Sequence, residues 1–193
     1  MKYTYLVVGL GNPEGKYFQT YHNVGFLTAE SLAEQLKTEF KKKGNQLLAV
    51  SDNVLILKPL TYMNLSGQAV VAAVRKHRID PKNVIVFTDD LYIEKGNIRI
   101  AFGGSSAGHN GIKSITELLG TNQYIKIRIG IQPEKPVNNN ADYVLSKIDA
   151  DSRILIDKAI GNAVCAAVGL TSGEPIEKFQ GKFNTKNAGQ TNV

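Results

Sequence analysis

The run Tyr5-Leu6-Val7-Val8-Gly9-Leu10-Gly11-Asn12-Pro13 decides how the rest of the chain is read. From Tyr5 to Leu10 it is apolar without alternation, the pattern of a central strand covered on both faces. A sheet covered on both faces needs helices above and below it. Gly9 and Gly11 follow the strand at the point where the backbone must turn tightly or approach a ligand. A dinucleotide-binding fingerprint begins in the same way, but its third glycine position is Glu14, and Pro13 interrupts the entry to a helix. Close packing of a helix over a pyrophosphate is therefore not supported.

Outward from this strand, Phe26, Ala29, Ala33, Leu36 and Phe40 recur at helical spacing. Leu47–Val50 and Val54–Leu57 flank Ser51-Asp52-Asn53 as a hairpin. A second helix holds Ala69–Val74, and Val84–Phe87 is another buried strand. Ile98, Ile100 and Phe102 alternate with Arg99 and Ala101, which predicts a half-exposed strand. Gly103 to Gly111 is a glycine-rich loop entering a helix that runs through Leu119. Tyr124–Ile131 alternates again, with Lys126 and Arg128 on one face. A polar loop spans Pro133 to Asn140, and an Ala-rich amphipathic helix spans Ile154 to Val168. Strands and helices alternate, so the expected fold is one three-layer α/β/α domain, residues 1–184, around a mixed, mostly parallel central sheet. Residues 185–193 are polar and read as a disordered tail.

With 193 residues the chain suits a single domain and should bury about 70% of the surface of its unfolded form. Cys165 is the only cysteine, which excludes an internal disulfide and points to the cytoplasm. No apolar run approaches the roughly 18 residues of a membrane helix, and the first residues lack the pattern of a signal peptide. A net charge of +6 favours a polyanionic partner, with nucleic acid first.

Several polar segments can carry chemistry. His22, in Tyr17…Thr20-Tyr21-His22-Asn23-Val24-Gly25, stands just before a helix and not on its apolar face. Asn64, in Thr61-Tyr62-Met63-Asn64-Leu65-Ser66-Gly67, precedes another helix, either as a cap or as a ligand-binding amide. Asp89-Asp90 ends a buried strand, where α/β sheets bind ligands. Neighbours on a strand point to opposite faces, so only one should face a given site. His22, His77 and His109 have no metal-ligand spacing, so a carboxylate orienting a histidine is the more economical reading. The loop Gly103-Gly104-Ser105-Ser106-Ala107-Gly108-His109-Asn110-Gly111 is a flexible connection, or one that presents backbone N–H groups to an oxygen. His77 reads as a solvated helix end, Lys41-Lys42-Lys43 as a solvated turn, and Cys165 as packed within its helix. There is no G-x-S-x-G nucleophile elbow.

Taken in order, the glycine run, the Tyr17–Gly25 segment, Tyr62-Met63-Asn64-Leu65-Ser66-Gly67, Asp89 and Gly108-His109-Asn110-Gly111 resemble the bacterial peptidyl-tRNA hydrolase family. Ile127-Arg128-Ile129-Gly130-Ile131 and Asp142-Tyr143-Val144-Leu145 match as well, and the resemblance covers roughly 5–184. It implies a monomeric, cytoplasmic α/β/α esterase that releases tRNA from peptidyl-tRNA in translation and ribosome rescue, with no metal, no cofactor and no membrane. By the same resemblance, His22 matches the proton acceptor and Asp89 its supporting carboxylate. Asn12 matches the residue that separates blocked from free aminoacyl-tRNA. Tyr17, Tyr62, Asn64 and Asn110 match contacts to the substrate's end, with His109 beside them, and Arg128 matches a basic residue toward the tRNA phosphates. The chain departs from the family at Glu14, commonly Gly, at Tyr21, commonly Arg, and at Ala101, often basic. The first bears on the turn after Pro13. The other two remove positive charge near the expected RNA path.

The chemistry of the residues agrees. A neutral imidazole suits base catalysis near neutral pH, a carboxylate can fix its tautomer, and asparagine amides can meet an oxyanion. The rivals are an RNA-binding protein without chemistry, which retention of His22 and Asp89 argues against, and a hydrolase of small molecules or peptides, which the net charge and Arg128 argue against.

Overall fold

The molecule, described over residues 3–184 in a computed structural model, is built on one seven-stranded sheet. The strands are β1 (Tyr5–Gly9), β2 (Lys41–Lys42), β3 (Gln46–Ser51), β4 (Val54–Pro59), β5 (Val84–Asp90), β6 (Ile98–Phe102) and β7 (Ile125–Gly130), in the order β2-β3-β4-β1-β5-β7-β6. The central four, β4, β1, β5 and β7, run parallel, while β3 and β6 pair antiparallel outside them. The expected hairpin is β3–β4, turned at Asp52 in the left-handed region at φ 43°. The tail expected to be disordered lies outside the described residues.

Helices α1 (Val24–Gln35) and α5 (Ala150–Thr171) cover one face, and α2 (Ser66–His77) and α3 (Asn110–Leu119) cover the other. The alternation along β1 shows the division. Val7 belongs to the apolar cluster with α1 and α5, and Leu6 and Val8 belong to the cluster with α2 and α3. Gly9 and Gly25 allow α1 to start directly against the end of β1. A Cβ on Gly25 would lie 2.5–2.6 Å from backbone atoms of Leu10 and Phe87, and one on Gly9 would run into the Gly25 carbonyl. Glycine here serves helix–strand approach, so the strand ends in a tight crossing with no dinucleotide site.

Several expectations change. Helix α1 stops at Gln35, which leaves Phe40 outside it. Two short helices were not foreseen, α4 (Asn140–Leu145) and α6 (Ile176–Phe183). Lys41-Lys42 is a two-residue edge strand, not a turn, and His77 is half-buried with its ring edge-on to Tyr3. Cys165 is exposed, not packed. Helix α5 is long and apolar enough, by length and composition, to cross a membrane, contrary to the expectation that no segment approaches this. Its face with Ile156, Ala163 and Ala167 is packed in the core against α1 and the sheet, as a central helix of a layered domain requires.

The largest change concerns β7, which is buried along its whole length. Lys126 is fully buried, and its Nζ donates to the carbonyls of Gly103 at 2.7 Å and Asn122 at 3.2 Å, above the Tyr124 ring. Burial, with Arg128 nearby, brings its ammonium down to about 8. The face that alternation marked as polar is roofed by the glycine loop.

Candidate active site

The carboxyl ends of β1 and β5, the N-terminus of α3 and helix α4 enclose a cleft of about 420 Å³. Asn12, His22, Asp89, His109, Asn110 and Arg128 all line it, beside Asp90, Tyr92 and Leu145. Six of the residues singled out in the sequence are thus brought together. Tyr17, Tyr62 and Asn64 are not among them. Tyr62 and Asn64 are exposed on the surface alongside, and Tyr17 is half-buried there.

Asp89 is the centre of the arrangement. His22 Nδ1 lies 3.0 Å from both carboxylate oxygens, and His109 Nε2 lies 2.9 Å from Oδ1. Burial acts to raise the pKa of Asp89, but His22 and then His109 outweigh it and hold the carboxyl far below the usual range. For His22, burial acts to lower the pKa, and Asp89 prevails and raises it.

Tautomers follow from the hydrogen bonds. His109 is the N-cap of α3, and its Nδ1 accepts from the N–H groups of Gly111 at 3.1 Å and Ile112 at 3.3 Å. That nitrogen carries no proton, so Nε2–H must be the donor to Asp89. His22 donates from Nδ1, which leaves the lone pair on Nε2. The three side chains offer ligand atoms within 4.8 Å of one another, a spacing that could hold a metal ion and that the scattered sequence positions hid. A metal on His109 Nε2 would displace the ring proton to Nδ1 and break the α3 cap, so the donor set suits proton transfer better than a metal.

Asn12 is held by Asn23, a residue quoted in the motif without a role. The Asn12 N–H donates to Asn23 Oδ1 at 2.8 Å, and Asn23 Nδ2 donates to the Asn12 carbonyl at 3.0 Å. Asn12 Oδ1 accepts from the Met63 N–H at 3.0 Å, which leaves Nδ2 as its free donor. Asn64 lies in the turn before α2, and its side chain does not cap that helix.

Both members of Asp89-Asp90 reach the cleft, although strand alternation allows only one to meet the histidines. Asp90 accepts from Arg128 Nη1 at 3.1 Å and from the Tyr92 N–H at 2.9 Å. Arg128 Nη2 donates to the Ser105 carbonyl at 2.7 Å, and the residue is 7% exposed. Lys126 and Arg128 therefore each hold one carbonyl of the glycine loop that delivers His109. In that loop Gly103, Gly104, Ala107 and Gly108 all have positive φ.

Two of the three departures from the family pattern, Glu14 and Tyr21, can be read locally, and nothing in the structure explains Ala101. Glu14 is in extended backbone at φ −74°, so the turn needs no glycine there. A hydrogen bond from Tyr62, then Lys16, holds its carboxyl below the usual value. Tyr21 is 2% exposed, so in this chain the position offers almost no surface to a partner.

A family model described as peptidyl-tRNA hydrolase matches residues 6–191. The chain is 37% identical over 185 residues to the peptidyl-tRNA hydrolase of Prosthecochloris aestuarii, covering 93% of this chain and 96% of that one. It is 42% identical over 171 residues to that of Chlorobium phaeobacteroides, covering 86% and 89%. Among solved structures it is similar to peptidyl-tRNA hydrolase from Acinetobacter baumannii, with a TM-score of 0.87 and 32% identity over 96% of each chain.

Proposed function

The chain belongs to the peptidyl-tRNA hydrolase family and is a hydrolase of peptidyl-tRNA, and from that premise we propose that His22 Nε2 is the base that activates water for the reaction. The observation that carries this is the donation from His22 Nδ1 to Asp89 at 3.0 Å, which puts the lone pair on the opposite nitrogen. Water attacks the ester carbonyl and gives its proton to Nε2. The tetrahedral intermediate then expels the 3′ oxygen of the tRNA, which takes that proton back. Asp89 stabilises the imidazolium in between. The Gly111 and Ile112 N–H groups are engaged with His109, which leaves the side-chain amides of Asn12 and Asn110 to meet the oxyanion. Tyr17, Tyr62 and Asn64, outside the cleft, would receive the 3′ end of the RNA in this reading, since aromatic rings can stack on bases.

The proposal extends to the setting: a cytoplasmic monomer that returns tRNA to translation after ribosome rescue. Its supports are the single cysteine, which cannot pair within the chain, and a substrate made on ribosomes. The test is peptide release from purified N-acylated aminoacyl-tRNA. General-base catalysis is worth roughly 10²–10⁴-fold, so His22→Ala should lose that much rate while tRNA affinity changes little. Wild-type protein that binds tRNA without turnover would replace the enzyme with a binding module. Substantial activity in His22→Ala would move the base elsewhere.

A further inference from the structure

The turn that carries His22 is fastened to the segment between α4 and α5. Ile148 N–H donates to the Gln19 carbonyl at 3.0 Å, and Tyr21 N–H donates to the Ser146 carbonyl at 3.2 Å. Tyr21 adds two side-chain contacts. Its hydroxyl donates to Asp149 Oδ2 at 3.0 Å, and its ring stacks on Tyr143 with centroids 4.8 Å apart and planes at 21°. Asp149 is the N-cap of α5, accepting from Ser152 N–H at 2.8 Å. Tyr143 belongs to α4, whose Ala141, Val144 and Leu145 form a wall of the cleft. One buried side chain next to His22 in sequence thus touches both the cleft wall and the cap of the longest helix.

We propose that Tyr21 is a positioning residue for hydrolysis: through Asp149 and Tyr143 it fixes the backbone of the His22 turn against the α4 wall, and so sets where the His22 imidazole meets Asp89 and the substrate ester. The proposal rests on the reading of His22 as the base. Tyr21 has no surface from which to touch the RNA, so its effect belongs in the chemical step. A small displacement of a reacting group costs up to about 100-fold in rate. Tyr21→Phe keeps the ring and its stack and removes the hydroxyl that bonds Asp149.

The test is a double-mutant cycle with steady-state kinetics on N-acylated aminoacyl-tRNA. Tyr21→Phe should lower kcat about tenfold with KM near the wild-type value. Added to His22→Ala, it should cost nothing further, because it acts through that ring. Asp149→Ser keeps a capping hydroxyl for Ser152 N–H but takes the carboxylate from Tyr21. It should reproduce the loss, should not add to Tyr21→Phe, and also serves if Tyr21→Phe does not fold. An unchanged kcat in both variants overturns the proposal, and so does an equal loss with or without His22. If His22→Ala itself retains activity, the base assignment falls and takes this proposal with it. A full loss in His22→Ala with additive effects of Tyr21→Phe sinks the positioning role alone.

Discussion

At His109 the nitrogen that would have to accept a proton is already taken up by the first turn of α3, and the other donates to Asp89. His22 uses one nitrogen and keeps the other, so the two histidines on one carboxylate are not equivalent. Because Asp89 raises the His22 pKa above its ordinary value against the pull of burial, the acid limb of kcat/KM should lie above about pH 6.5, the unperturbed value. In Asp89→Asn the negative charge is gone and burial remains, so the limb should move below that value while the plateau rate falls. A limb that stays in place would mean that Asp89 does not govern His22. The stability effect has the corresponding sign. The raised His22 contributes stability that is full below its unfolded pKa and lost as pH rises through its folded one. The depressed Asp89 contributes above about pH 3.9 and loses it only in strong acid. Thermal melting should therefore show Asp89→Asn more destabilising at pH 5.5 than at pH 8.5. In the proposed mechanism Asn12 would carry the choice of substrate. Its Oδ1 is held by Met63 N–H and the residue lines the cleft, which leaves Nδ2–H as the group it can offer, and a donor opposes the ammonium of a free aminoacyl-tRNA but suits the carbonyl of a peptide. Asn12→Asp replaces that donor with a negative oxygen that attracts an ammonium. The ratio of hydrolysis of free to N-blocked aminoacyl-tRNA should rise, and an unmoved ratio would reduce Asn12 to a turn residue.

Elements with a strong local pattern are legible in the sequence. The unbroken apolar run of β1, the part of α1 that holds Phe26, Ala29 and Ala33, the helix around Ala69–Val74 and the hairpin around Asp52 appear where the sequence placed them, while Leu36 and Phe40 fall outside α1. Short elements that bury little were not legible. Helix α4 buries no residue completely, and its asparagines read as loop. Helix α6 buries only Phe179. For β7 the pattern itself misled, because Lys126 and Arg128 alternate with isoleucines but point under the glycine loop, and no local signal shows what will cover a strand. The same is true of the meeting of His22 with His109, which depends on how β5 and α3 converge. The role of Arg128 can be separated at this scale. Its guanidinium joins Asp90 on β5 to Ser105 of the loop. Arg128→Ala strands a buried carboxylate, a change that typically costs about 3–5 kcal/mol, and loosens the loop that delivers His109. The melting temperature and kcat should both fall, with the salt dependence of tRNA binding unchanged. A slope reduced by about 1 would instead assign Arg128 a phosphate contact.

Across the whole molecule the net charge of +6 is distributed so that part of it lies away from the surface. Lys58, Lys126 and Arg128 are buried, and each is matched inside the protein by Glu30, by loop carbonyls or by Asp90. The charge available to a polyanion is the exposed remainder, which includes Arg99 on β6 and Lys113 one turn into α3. This divides the substrate into two parts with different physics. If exposed cations hold the tRNA body, its affinity depends on counterion release and should fall linearly in log–log form with salt, by roughly 0.7–0.9 for each phosphate contacted. The ester sits in the cleft, where the His22–Asp89 pair is mostly screened from the solvent by protein and responds little to ionic strength. Raising salt should therefore increase KM for N-acylated aminoacyl-tRNA steeply while kcat at saturation stays level. An N-acyl amino acid esterified to a single adenosine keeps the ester and lacks the phosphates. Its kcat/KM should be low and nearly independent of salt. A flat KM for the full substrate would mean that the basic surface is not the RNA path. An equally steep salt response from the adenosine ester would place the salt-sensitive step inside the cleft, and the separation of holding from cutting would fail.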